Sequence, residues 1–165
     1  MTALHIRGFQ ADDSDAVNRI ALAAFEELRP HYDNWPALAA NLGRMADQAG
    51  THELIVAEHD GKVVGAVAYV GPAAAKAAYF DPGWPAIRML VVDPESRGLG
   101  AGRALTEACV ARAVRDGAPV VALHTSPIMT VALPMYLRMG FERVRDTPLI
   151  HGVPYSVYLK RLQEG

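Results

Sequence analysis

The segment Val92-Asp93-Pro94-Glu95-Ser96-Arg97-Gly98-Leu99-Gly100-Ala101-Gly102-Arg103 carries the clearest chemistry in the chain. Gly98, Gly100 and Gly102 remove side chains from alternate positions of one short stretch. Successive amide N–H groups can then point into a concave nest, backed by the positive end of a following helix. A pyrophosphate is the natural guest at such a helix N-terminus, and Arg97 and Arg103 flank it with guanidinium groups suited to phosphate. Two familiar nucleotide motifs do not fit. A Walker A loop requires Gly-Lys-Ser/Thr where this chain has Gly102-Arg103-Ala104. A dinucleotide fingerprint requires a third glycine at position 103 and an acidic residue closing the next strand, where Leu123-His124-Thr125 stands.

Other reactive side chains give less. Cys109 falls on the apolar face of a helix, where a thiol packs rather than reacts, so an acyl-cysteine route is not expected. No His, Cys, Asp or Glu set has metal-ligand spacing, and no metal is expected.

The elements that position this turn follow from periodicity. Leu4 to Phe9 alternates as a first strand. Asp12 and Asp13 stand at a helix N-cap, and Val17, Ile20, Ala21, Ala24, Phe25 and Leu28 keep helical spacing until Pro30. A second helix is expected over Pro36–Gln48, ended by Gly50. Strands over 53–58 and 62–70 flank Asp60-Gly61, a hairpin signal because both turn residues need positive φ. A long loop over 71–85 carries Tyr79, Phe80 and Trp84, and a fourth strand covers 87–92. After the glycine turn come a helix from Ala101 to Asp116, an apolar strand over 120–124, a short helix before Gly140, and closing strands over 141–145 and 155–159. This order predicts an α+β fold: a mixed, mostly antiparallel seven-stranded sheet flanked by four helices.

At 165 residues the chain fits one domain, 1–165, with a composition ordinary for a soluble globular protein. A net charge of −2 speaks against broad attraction to nucleic acid or to a membrane surface. No apolar run reaches the length of a membrane span, and Met1-Thr2-Ala3-Leu4-His5-Ile6-Arg7 lacks the features of a signal peptide. A lone cysteine excludes an internal disulfide, so a cytoplasmic location is expected.

Arg97, Gly100 and Gly102 meet the pattern Arg/Gln-x-x-Gly-x-Gly/Ala, and here the sequence resembles the GNAT superfamily of N-acetyltransferases. The resemblance runs from Leu90 through the turn and its helix, and resumes at Ala132-Leu133-Pro134-Met135-Tyr136-Leu137-Arg138-Met139-Gly140-Phe141-Glu142. It implies an acyl-CoA N-acyltransferase fold whose fourth and fifth strands splay apart to admit the pantetheine arm of acetyl-coenzyme A. Leu90, Val91 and Val92 would line that arm, and Arg97, Gly98, Gly100, Ala101, Gly102 and Arg103 would hold the pyrophosphate. Tyr136 matches the tyrosine that protonates the departing sulfur in many members. Where many members carry an Asn before the Ala of this segment, this chain has Pro127-Ile128-Met129-Thr130, which removes one polar contact to the cofactor.

The implied reaction is direct transfer of an acetyl group to a primary amine of a small molecule or peptide. His124, late in the fifth strand, is the first candidate for the base or the terminus of a water chain. Glu26 and Glu27 on the first helix follow, better suited to attracting a cationic acceptor. Tyr32 and Trp84 fall in regions that wall the acceptor side of this fold, and Tyr79, Phe80 and Trp84 form a candidate lid. The alternative is a non-catalytic acyl-CoA-binding sensor or partner module. A homodimer is expected by analogy alone.

Overall fold

The computed structural model describes residues 3–162; both ends of the expected 1–165 domain, residues 1–2 and 163–165, lie outside it. Seven strands form one sheet: β1 (His5–Gly8), β2 (Glu53–His59), β3 (Lys62–Val70), β4 (Ala86–Val92), β5 (Val120–Thr125), β6 (Glu142–Ile150) and β7 (Val153–Arg161). Their spatial order is β1-β2-β3-β4-β5-β7-β6. Every pairing is antiparallel except β4 with β5. Four α-helices cover it: α1 (Ser14–Glu26), α2 (Trp35–Leu42), α3 (Ala101–Arg115) and α4 (Ala132–Arg138).

Alternation along the strands divides the core into layers. On one face Ile55, Val67, Tyr69, Ile87 and Leu123 pack against Leu105 and Cys109 of α3 and Tyr136 of α4. On the other, Leu54, Val56, Ala66 and Val91 pack against Val17, Ile20 and Ala21 of α1. Gly65 on β3 is a point of close approach. A Cβ there would lie 2.9 Å from the Val91 carbonyl oxygen and 3.1 Å from Leu105 Cδ1.

Local departures from the sequence expectations have identifiable causes. Asp13 stands at the N-cap of α1 but does not cap it. Its buried carboxylate instead accepts from the Gln10 amide at 2.8 Å and pairs with Arg7. Helix α2 stops at Leu42, six residues short of the expected Gln48. Gly43 ends it, packed 3.3 Å from Leu22 Cδ1 at its would-be Cβ. Beyond it the Ala46 amide turns aside to Asn18 Oδ1 at 2.8 Å, and Met45–Gly50 coil as a 3-10 helix. The closing strands are longer than expected. Pro148 lies inside β6, where a register shift between Thr147 and Ile150 accommodates a residue with no N–H to give. His151 and Gly152, both at positive φ, turn the β6–β7 hairpin.

Candidate active site

Strands β4 and β5 are joined only at Ala86–Ala122 and Ile87–Leu123, and beyond those pairs they part. Backbone groups alternate sides along a strand, and the Asp93 amide donates to Val64 of β3 at 2.8 Å. By that alternation the backbone groups of Val91 face β3, while those of Leu90 and Val92 face the gap. Val91 also buries its side chain under α1, whereas Leu90 and Val92 are half-buried on the α3 side. Met89, at φ 55°, interrupts the regular strand as the gap opens. A lone positive φ at a non-glycine residue is a local strain that the surrounding packing must hold.

The gap leads to the glycine turn. Gly98 and Gly100 adopt φ of 88° and 80°, and nothing lies within 4 Å of where their Cβ atoms would be. Gly100 occupies the N-cap of α3 with no side-chain cap, so the first-turn amides of Ala101, Gly102 and Arg103 have no helical acceptor. Gly102 packs instead, its would-be Cβ 3.7 to 3.8 Å from Val92, Leu90 and Met135. The turn is thus a bare cradle between two guanidinium groups. Arg97 is clasped by Glu27, whose carboxylate is held below its ordinary range by that hydrogen bond. Arg103 stands 3.8 Å from Glu107.

A cavity of about 340 Å³ occupies the middle of the sheet, where β4 and β5 separate. Tyr136 borders it, 5% exposed, with its ring edge-on to Phe141 at 5.7 Å. Its hydroxyl forms no hydrogen bond among the described residues, and burial raises its pKa well above that of a free phenol. The proton is fixed on oxygen and uncommitted.

His124 faces the same cavity within a chain of polar contacts. Its Nε2 lies 2.6 Å from Thr147 Oγ1, which in turn donates to the Tyr155 carbonyl at 3.1 Å. With the threonine proton assigned to that carbonyl, the hydrogen-bond network puts the imidazole hydrogen on Nε2 and the lone pair on Nδ1. Tyr79 Oη then donates to Nδ1 at 3.3 Å, with the two rings stacked at 4.4 Å. Burial and the charge of Arg88 lower the His124 pKa to about 4, so the imidazole is neutral through the physiological range.

Other expected residues scatter. Tyr32 is buried behind the cavity, hydrogen-bonded to Tyr155 Oη at 2.5 Å. Glu26 is outside the cavity, 3.3 Å from Arg29. Trp84 also stands apart, under Arg145 at 5.2 Å, whereas its loop neighbours Tyr79 and Phe80 do line the cavity. Sequence reasoning did not single out Arg88, Thr147 or Tyr155. Arg88 gave a signal, a lone charge inside an apolar strand. The Thr147–His124 contact gave none, because the two residues meet across β7 from distant positions. Among the described residues no cluster of His, Cys, Asp or Glu is arranged to hold a metal.

Residues 14–141 match the model of the acetyltransferase (GNAT) family. A mycothiol acetyltransferase of Cellulomonas flavigena is 32% identical over 157 residues, covering 90% of this chain and 43% of that protein. The chain spans less than half the length of the curated relatives it matches. Among solved structures, a GCN5-related N-acetyltransferase from Rhodopseudomonas palustris superposes with a TM-score of 0.77 at 22% identity, over 98% of both chains. A putative acetyltransferase from Salmonella typhimurium, solved with its cofactor acetyl-CoA, gives 0.71 at 18% identity over 99% of this chain and 96% of that one. At such identities the two structures speak for the fold.

Proposed function

The chain belongs to the acetyltransferase (GNAT) family, and from that premise we propose that it transfers an acetyl group from acetyl-CoA directly to a primary amine of a small molecule or peptide. The observation that carries the reading is the continuity of the β4–β5 gap with the bare turn: unpaired strand backbone runs directly into unpaired helix-mouth amides. An extended amide-bearing arm ending in a diphosphate needs that sequence of partners. The residues present fit the group. The backbone groups of Leu90 and Val92 are turned to the gap, and the cradle at Gly98 and Gly100 is open where any side chain would fill it. Arg97 and Arg103 add charge at its rim.

Acetyl-CoA, when bound, supplies an acetyl group activated as a thioester, whose carbon accepts the amine nitrogen as the C–S bond breaks. Tyr136 holds a proton beside the cavity for the departing sulfur. The burial that raises its own pKa also raises that of a thiolate expelled next to it, so the match between donor and acceptor survives. On the amine side, the Tyr79 hydroxyl keeps its lone pairs for the incoming N–H and can pass its own proton to Nδ1 of His124. With its pKa near 4, His124 is a weak proton sink. The acceptor therefore reacts as its neutral fraction, at a cost of about 1.36 kcal/mol for each unit by which the amine pKa exceeds the pH.

The test is calorimetry with acetyl-CoA alongside thiol release across an amine panel. Gly100→Val fills the cradle at positive φ and should weaken binding more than tenfold, by blocking amides that otherwise hold charged oxygens. Equal binding by the variant overturns the site, and binding with no turnover on any amine makes the chain a cofactor sensor instead.

A further inference from the structure

The acceptor half of the cavity carries a charge pattern that narrows the substrate class. Among the described residues no aspartate or glutamate lines the cavity, while Arg88, Lys76, His52 and His124 do. These groups are not equivalent. Lys76 spends its ammonium on three carbonyl oxygens of its own loop, Gly71 at 2.9 Å, Pro72 at 3.4 Å and Ala74 at 2.7 Å, and so staples that loop rather than reaching a ligand. His124 is committed to Tyr79 and Thr147. Arg88 differs: it is exposed, it forms no ion pair and no hydrogen bond among the described residues, and its charge reaches His52, Tyr79 and His124. Beside it, the Nδ1 atom of His52 is buried without a partner. A fan of unspent guanidinium donors lacks one thing, an oxyanion to accept from it, and a His52 Nδ1 that carries the ring hydrogen lacks the same partner.

Arg88 cannot serve the diphosphate cradle. It adjoins Ile87, at the end of β4 still paired with β5, whereas the cradle follows the strand's far end, on the order of 10 Å away along the chain. The remaining walls near Arg88 include Phe25, Leu38, Leu42, Phe80 and Met129, which suit an apolar body.

Resting on the acetyltransferase reading above, we infer that the acceptor is an amine that also carries a carboxylate or another oxyanion on an apolar frame, and that Arg88 with His52 receives that anion. Polyamines and other polycationic amines are excluded by the same walls: they would enter a cavity with cations on its rim and no acid to pair with. Arg88 is thereby a specificity residue.

The experiment compares matched acceptors with the intact protein: apolar amino acids, their primary amides, aminoalkyl phosphonates and a polyamine, each followed by thiol release. Acids should exceed their amides at least tenfold in kcat/KM, because one charge-assisted hydrogen bond separates the two. Arg88→Gln should lower kcat/KM for the acids about 10- to 100-fold, mainly through KM, and bring the acid-to-amide ratio near one. Arg88→Lys should restore part of the preference, and the phosphonate arm reads whether the site takes oxyanions generally or carboxylates alone. Heat of acetyl-CoA binding, measured for each variant, reports on folding and on the cofactor cradle separately. A panel led by the polyamine or the amides, or an acid preference untouched in Arg88→Gln, overturns the inference while the acetyltransferase reading stands. Absence of both binding and turnover in the wild-type protein overturns the two together.

Discussion

At the residue scale, the site separates two protons by environment. Tyr136 keeps its proton because burial penalises the phenolate. His124 refuses one because burial and Arg88 penalise the imidazolium. Tyr136→Phe removes only the hydroxyl, so kcat should fall about 10²- to 10⁴-fold with acetyl-CoA affinity little changed; unchanged turnover would reduce Tyr136 to packing. For His124 the sign runs toward acid sensitivity. Its folded pKa, about 4, is below the ordinary 6.5, so the unfolded chain binds a proton that the folded one does not across that window. Stability should fall as pH drops from about 6.5 to about 4. His124→Asn should flatten that part of a plot of melting temperature against pH. These roles were partly legible in the sequence: Tyr136 stood out through its spacing to Gly140-Phe141, but the Thr147 contact that assigns the His124 tautomer depends on register across β7.

At the element scale, the chain announces most of its pieces through short-range chemistry. The Asp60-Gly61 hairpin closes with φ of 52° and 76°, as its residue types require. The glycine turn opens α3, and the seven-stranded mixed sheet with four helices is the expected one. Illegible features are those decided by contacts between elements: the early stop of α2 against Leu22, and the persistence of β6 past Pro148. Gly65 belongs to the same class, since nothing in its neighbours foretells that β3 must pass so close to the Val91 carbonyl. Gly65→Ala should destabilise the fold by about 1–3 kcal/mol, as overpacking against backbone does, and urea unfolding would read it. Because the displaced strand is β4, acetyl-CoA affinity should fall as well, whereas an alanine at Gly61 would cost turn strain alone.

At the scale of the whole molecule, the protein is a single sheet with one deliberate discontinuity. Helices α1 and α2 cover β2 to β4 on one face while α3 crosses to the other, and the cavity sits where neither layer closes. The sheet edge at β6 is open but guarded. Its exposed Val144 stands between Arg143 and Arg145, and its exposed Leu149 follows Pro148, placements of charge and proline that discourage strand addition. No described helix is long and apolar enough to cross a membrane.

Two rungs between β4 and β5 also have a mechanical meaning. They make the sheet two stiff panels on a short seam, and a molecule lying in the gap would rivet them. Deuterium uptake should therefore be fast at Leu90 and Val92 in the free protein and slow sharply once acetyl-CoA saturates it. A melting-temperature rise should accompany that change, corresponding to about 2.7 kcal/mol at a hundredfold excess over Kd.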